Sequence, residues 1–318
     1  MLLQSLIFLL GLGVLYLGAE WLVNGAANLA LRYGIRPMIV GITVVALGTS
    51  MPEFVINFFA AFTGEDSLAL GNIVGSNICN IALILGMSAM VLPLAVSPNT
   101  LRKEYPLMMA VLVLFYVVAL DGLISKGDGL LLVSGLVAFI VYIFFDARRL
   151  TPAVTMGRED EDARPPGALV RRKVLFVVGG IVLLAVGARA MVYAAVKVAD
   201  MLEIDPVVVG LTVVAVGTSL PELAASLVSA IRQESDISVG NVLGSNMLNV
   251  LFVVGLVSLI RPLRVDPVSL DIHFPVMLFF GIVLLPLAWT SFKINRVEGG
   301  FLLAGFLSYM VFLAAPYF

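Results

Sequence analysis

The chain has one cysteine and one histidine in 318 residues, and only 13% of it is charged. A single Cys excludes a disulfide framework, and one Cys with one His leaves no ligand set for zinc. The shortage of charge excludes an ordinary soluble domain, in which Asp, Glu, Lys and Arg make up roughly a quarter of the residues. With 19 basic against 21 acidic residues, the chain also lacks the basic surplus of a nucleic-acid-binding protein. A cleavable leader is not expected, because Met1 to Gln4 carry no basic residue ahead of the first apolar run. That run, through Leu17, reads as a span and not as a signal peptide.

What the chain does have is apolar length: 61% of its residues are hydrophobic. After the first run, others fall at about 38–63, 69–92, 105–121, 129–146, 173–199, 206–231, 238–260, 271–291 and 299–317. A membrane helix needs ~20 apolar residues. An open sheet would leave backbone groups unpaired in lipid, and the runs lack the alternation of a barrel. The predicted fold class is therefore an all-α polytopic membrane protein with about ten transmembrane helices. One long polar stretch, residues 147–172, contains Arg158, Glu159, Asp160, Glu161, Asp162 and Arg164 and then Pro165 and Pro166. It reads as a solvated linker, too short to hold a folded regulatory domain. The expected units are 1–146, the linker 147–172, and 173–318. Fourteen of the nineteen Lys and Arg lie on the side reached after the first span, four lie opposite, and Arg189 lies within a span. The positive-inside rule then puts both termini outward and the linker in the cytoplasm, for a protein of the plasma (inner) membrane.

Self-similarity is the strongest signal. GITVVALGTSMPE at Gly41–Glu53 returns as GLTVVAVGTSLPE at Gly210–Glu222, with ten of thirteen positions identical and an offset of 169. The same offset carries GNIVGSNICN at Gly71–Asn80 onto GNVLGSNMLN at Gly240–Asn249. Each half holds five spans, an odd number, so the second copy should be inverted, giving two inverted five-helix repeats. Repeats so related are a transporter signature, because the halves can exchange conformations around a central site. Two duplicated bundles without a transport role would not explain why the repeated residues are mostly polar.

An ionisable side chain at bilayer depth is a functional candidate by default, and Glu53 and Glu222 are such residues. Each follows a Pro, which kinks the helix and frees carbonyls of the preceding turn, with those of Ala46 and Ala215 favoured. Thr49 lies four residues before Glu53, and Thr218 four before Glu222, so each pair shares a helix face; Ser50 and Ser219 stand beside them. Ser76 and Asn80 stack in the same way, as do Ser245 and Asn249. Gly71 with Gly75, and Gly240 with Gly244, allow close helix approach. This inventory of carboxylate, hydroxyl, amide and carbonyl oxygen suits Ca²⁺ or Na⁺. A proton carried by the glutamates is the alternative. Asn77 and Asn246 read equally as ligands or as interhelical glue, Cys79 as a packing residue, and His273 as interfacial. The offset also maps Glu20 onto Arg189, and an ion pair between them is expected to tie the first and sixth spans together.

Two inverted copies carrying GTSMPE and GTSLPE, each followed by GNxxGSN, resemble the α-repeats of sodium/calcium exchangers in the calcium/cation antiporter superfamily. The likeness is strongest at 41–93 and 210–262 and is nearest the compact prokaryotic type. It implies exchange of intracellular Ca²⁺ for external Na⁺ by alternating access, with no cofactor. The implied ligands are Ala46, Thr49, Ser50, Glu53, Ser76 and Asn80, with Ala215, Thr218, Ser219, Glu222, Ser245 and Asn249. Some exchangers carry Asp where this chain has Asn249, so this sequence offers two carboxylates rather than three. Exchange of H⁺, or of another divalent ion, is the runner-up reading; a cation channel is less favoured. An enzyme is not expected, because no metal-binding His cluster or nucleophile with a base partner accompanies the carboxylates. A monomer is the simplest assembly.

Overall fold

The computed structural model describes residues 2–148, 166–202 and 215–314. Most of the expected linker, and residues 210–214 of the second repeat motif, lie outside them. Helix α1 (Leu2–Tyr33) ends where Gly34 adopts φ 62°, the left-handed conformation that stops a helix. Two helices follow, α2 (Pro37–Thr49) and α3 (Met51–Thr63), with 45° between them. Then come α4 (Asp66–Val91), β1 (Leu94–Ala95), α5 (Pro98–Arg102), α6 (Glu104–Ala119), β2 (Leu123–Ile124) and α7 (Lys126–Arg148). The second half contains α8 (Pro166–Met201), α9 (Ala215–Thr218), α10 (Leu220–Ile231) and α11 (Ser235–Ile260). It closes with β3 (Leu263–Arg264), α12 (Ser269–Trp289), β4 (Lys293–Ile294) and α13 (Arg296–Ala314).

Among the described residues, seven of these helices are long and apolar enough to cross a membrane, and the bent pair α2–α3 makes an eighth span if counted as one. At 16 and 12 residues, α6 and α10 fall short of the ~20 that a straight helix needs to cross. The sixth apolar run, expected from residue 173, belongs to a helix that already starts at Pro166. Pro is well suited to that place, where a helix has no intrahelical use for its N–H.

The repeat is visible in how the elements meet. Strand β1 pairs antiparallel with β4, and β2 with β3, so both two-stranded sheets join one half to the other. The most buried helices, α4 and α11, carry the GNxxGSN motifs, and each has 78% of its apolar window inside the protein. Their cores include Ile73, Ile81, Leu85, Val242, Met247 and Val250. By contrast, α1 and α8 stand at the side, 33% buried, and pack mainly on each other. A Cβ on Gly18 would lie 2.6 Å from the Leu184 backbone nitrogen, and one on Gly187 would lie 2.5 Å from that of Leu15. The contacts run in opposite directions along the two chains, so the helices are antiparallel, and their backbones touch where only glycine fits.

That antiparallel crossing overturns the expected Glu20–Arg189 ion pair. Positions related by the offset fall on opposite sides of the crossing point, which lies near Leu15 and Leu184. Glu20 and Arg189 are therefore separated by about 13 Å along the helix axes, at 1.5 Å per residue. Glu20 pairs instead with Arg232, at the end of α10, and accepts a hydrogen bond from Tyr16 at 3.2 Å. Arg189 is exposed.

On the same side of the molecule, Arg36 immediately precedes α2 and bridges two carboxylates. It bonds Glu104 at 3.0 Å and Asp146 at 3.0 Å, and Lys103 also reaches Asp146 at 3.2 Å. This cluster fixes the start of α2 to the start of α6 and the end of α7. At the other end of the bundle, Arg261 pairs with Asp66 at 3.8 Å and donates to the Ala61 carbonyl.

Candidate cation site

The two GTSxPE motifs break their helices at equivalent serines. Ser50 sits at φ −84°, ψ 3°, and Ser219 at φ −89°, ψ 7°, outside the helical range and in the sparsely populated bridge region. Pro52 and Pro221 follow two residues later and supply no N–H to Gly48 and Gly217. Glu53 and Glu222 then stand in the first turns of α3 and α10, each 1% exposed. A carboxylate is favoured at a helix N-terminus, where the backbone N–H groups point toward it.

The second motif adds a different distortion. Helix α4 contains a π-helical turn at Cys79–Ile84, and α11 contains one at Asn249–Val254. A third lies at Gly41–Val45 in α2, one turn before Ala46. π turns widen the helix by one residue and are frequent at functional positions, since they redirect side chains and loosen carbonyls.

Hydrogen bonds carry the two halves onto each other. Ser50 Oγ donates to Glu222 Oε1 at 3.0 Å. Thr49 Oγ1 donates to Asn241 Oδ1 at 3.2 Å, and Thr218 Oγ1 to Asn72 Oδ1 at 3.3 Å, the same contact in both repeats. Asn249 Nδ2 donates to Asn77 Oδ1 at 3.1 Å, between α11 and α4. The two glutamates lie within electrostatic reach of each other, and Cys79, also buried, lies beside Ser219 and within electrostatic reach of both carboxylates.

All the polar residues read as ligands from the sequence are buried: Thr49, Ser50, Glu53, Ser76, Asn80, Thr218, Ser219, Glu222, Ser245 and Asn249. Ala46 is buried too, and Ala215 opens α9. The carbonyl of Ala46 stays in helical hydrogen bonding, accepting from Ser50 N at 3.0 Å and from Thr49 Oγ1 at 3.3 Å. The first hydrogen-bond ring is completed by residues that the sequence reading passed over. Asn72 and Asn241 hold the threonines, Asn57 Nδ2 donates to the Glu53 carbonyl at 2.6 Å, and Asn241 Nδ2 reaches Ser226 Oγ at 2.9 Å. A signal for the first two was available, since both are the Asn of the repeated GNxxGSN.

Seven oxygens of the expected ligand set are buried without a hydrogen-bond partner. They are Ser219 Oγ and three symmetry-related pairs: Glu53 Oε2 with Glu222 Oε2, Ser76 Oγ with Ser245 Oγ, and Asn80 Oδ1 with Asn249 Oδ1. Leaving one buried polar atom unsatisfied costs about 1–3 kcal/mol, and six at symmetry-related positions mark a place where something else supplies the partner. Among the described residues, no three His, Cys, Asp or Glu gather to hold a metal. A cation here would rest on two carboxylates and neutral hydroxyl and amide oxygens, a set suited to hard ions.

Known proteins resemble the chain over nearly its whole length. The family model described as "Sodium/calcium exchanger protein" matches residues 3–145 and 172–315. Inner membrane protein YrbG of Escherichia coli is 36% identical over 318 residues, covering 98% of this chain and 97% of that one. Sodium/calcium exchanger MaX1 of Methanosarcina acetivorans is 30% identical over 346 residues, covering 97% of each. Among solved structures, the sodium-calcium exchanger NCX_Mj superimposes with a TM-score of 0.83 at 31% identity, over 98% of this chain and 99% of that one. That exchanger has been solved after soaks in Na⁺ with Ca²⁺ and in Na⁺ with Sr²⁺. The chain belongs to the sodium/calcium exchanger family, among its compact prokaryotic members, and is a membrane transporter rather than an enzyme.

Proposed function

We propose that the protein exchanges Ca²⁺ for Na⁺ across the membrane by alternating access, at one midplane site built from both repeats. The observation that carries this is the buried Glu53–Glu222 pair, surrounded by orphaned oxygens from both repeats. Two ionised carboxylates bring a charge of −2, which one Ca²⁺ or two Na⁺ neutralise, so the two ions compete for one cluster. The ligands are Thr49, Ser50, Glu53, Ser76, Asn80 and the Ala46 carbonyl, with Thr218, Ser219, Glu222, Ser245, Asn249 and the Ala215 carbonyl. Asn80 and Asn249 serve through neutral amide oxygens.

The wider arrangement in this reading is ten spans in two inverted halves, 1–146 and 173–318, joined by a cytoplasmic linker at 147–172. Both termini face outward, following the basic residues. Three features support it: antiparallel packing of α1 and α8, sheets that each join the two halves, and helix breaks at Ser50 and Ser219. One chain contributes every ligand, so a monomer suffices.

The test is ⁴⁵Ca²⁺ uptake into proteoliposomes loaded with Na⁺, with a proton gradient alone, or with neither. Uptake that requires internal Na⁺ supports sodium exchange. Uptake driven by the proton gradient alone would replace it with H⁺/Ca²⁺ exchange and make the glutamates proton carriers. Flux that needs no counter-ion and does not saturate would make the protein a channel.

A further inference from the structure

The two repeats are related in sequence, and share the threonine–asparagine contacts, but not all of their present hydrogen bonding. In the second half, Asn241 Nδ2 donates to Ser226 Oγ at 2.9 Å. The offset of 169 maps Asn241 onto Asn72 and Ser226 onto Asn57. In the first half this bond is absent, and both of its ends are orphaned: Asn72 Nδ2, a donor, and Asn57 Oδ1, an acceptor, are buried without a partner. A second contact differs between the halves at its acceptor end. Asn249 Nδ2 donates to Asn77 Oδ1, whereas Asn246 Oδ1, the counterpart of that acceptor, has none.

A donor and a complementary acceptor, both desolvated and both idle, make an incomplete arrangement whose completed form is shown by its own twin. Inverted repeats that exchange conformations would exchange these bonds as well. We propose that Asn57 and Asn72 are the positioning pair of the opposite access state, forming there the bond that Ser226 and Asn241 make here. The bond between Ser226 and Asn241 is then released. Neither pair supplies a site ligand. Each ties the helix bearing a glutamate, α3 or α10, to the GNxxGSN helix of its own half, α4 or α11, and so sets which half is locked. This rests on the alternating-access reading and adds the residues that distinguish the two states.

The consequence is a difference in sign. Ser226→Ala removes a bond present only in the state seen here, and Asn57→Ala removes one present only in the other. Asn57 also donates to the Glu53 carbonyl, but that bond lies within one turn of one helix and weighs on both states alike. Here α2 packs against α11, with Gly41 and Gly240 at backbone contact, so amide exchange in residues 37–49 reports the population of this state.

Hydrogen exchange of purified protein, measured in Na⁺, in Ca²⁺ and with neither, is the test. Ser226→Ala should speed exchange at 37–49 about five-fold, and Asn57→Ala should slow it by a similar factor, the shift that follows from one net hydrogen bond. Asn57→Ser, which restores an acceptor like that of Ser226, should return exchange toward the parent. Changes of the same sign in both Ala variants, or no rescue by Ser, would overturn the proposal. Should Asn57→Ala fail to fold, Ser226→Ala decides alone, since unchanged or slower exchange at 37–49 contradicts it. An exchange pattern in the parent that ignores both ions would count against the transport reading, and does so independently of the variants.

Discussion

Ser50 and Glu222 come from opposite halves of the chain, 172 residues apart, and are joined by a 3.0 Å hydrogen bond from hydroxyl to carboxylate. A break in one repeat thereby orients the acid of the other. Gln at Glu53 or Glu222 keeps the shape of the side chain and removes its charge. Each variant should insert and fold yet lose Ca²⁺ exchange by at least about 100-fold, in keeping with loss of a buried charged ligand. Retained ⁴⁵Ca²⁺ flux in both variants would remove the glutamates from the site.

Thr49 and Thr218 each donate to an Asn of the other repeat. Asn241→Ala should therefore weaken ion affinity without removing a ligand, by leaving Thr49 held only by the Ala46 carbonyl of its own helix. About 1–3 kcal/mol is expected, read as a rise of about 5- to 150-fold in the Na⁺ or Ca²⁺ concentration that half-saturates transport. Unchanged half-saturation would show that the threonine needs no anchor.

The Glu20–Arg232 pair links α1 to α10 at a partly exposed position, with the side chains 25% and 35% accessible. A double-mutant cycle in thermal unfolding should give a coupling of about 0.2–1 kcal/mol. The cycle of Glu20 with Arg189 should be additive, and coupling there instead would contradict the crossing geometry.

Arg36 holds the buried carboxylates of Glu104 and Asp146. Arg36→Ala strands Glu104 and leaves Asp146 to Lys103 alone, and should destabilise the protein by about 3–5 kcal/mol, while Arg36→Lys recovers part of this, because an ammonium cannot span two carboxylates as a planar guanidinium does. Thermal unfolding in detergent would measure the series; equal stability of parent and Ala variant would show that Lys103 suffices.

At Gly18 any side chain meets the backbone of α8, whereas Gly13, on the same helix, has open space around its Cβ position. Gly18→Ala should cost about 1–3 kcal/mol through overpacking, and Gly13→Ala should be neutral or mildly stabilising. Comparable melting temperatures for the two variants would mean that α1 and α8 part easily.

The membrane class, the repeat and the buried polar residues were legible in the sequence, because each depends on composition or on spacing along one helix. Glu53 with Thr49 and Ser76 with Asn80 needed only the helical period. What depends on how two elements cross was not legible. Glu20 and Arg189 are equivalent in sequence, yet an antiparallel crossing sends equivalent positions apart rather than together. Asn72 and Asn241 carried a signal as the Asn of the repeated GNxxGSN, but their partners, and the roles of Asn57 and Ser226, were hidden for a related reason: which elements a hydrogen bond joins leaves no trace in a linear pattern. The Ala46 carbonyl shows a further limit. Proline at 52 removes one specific N–H, while Ser50, in non-helical geometry, still reaches back to residue 46.

The two small sheets have an effect on motion. Because β1 pairs with β4 and β2 with β3, the connections flanking α6 and α12 are stitched to each other by backbone bonds at both ends of the bundle. Such stitching resists shear between the halves at the perimeter. In the proposed exchange cycle, rearrangement would then fall to elements that carry no such strand, among them α1 with α8, which meet each other through glycine and apolar surface.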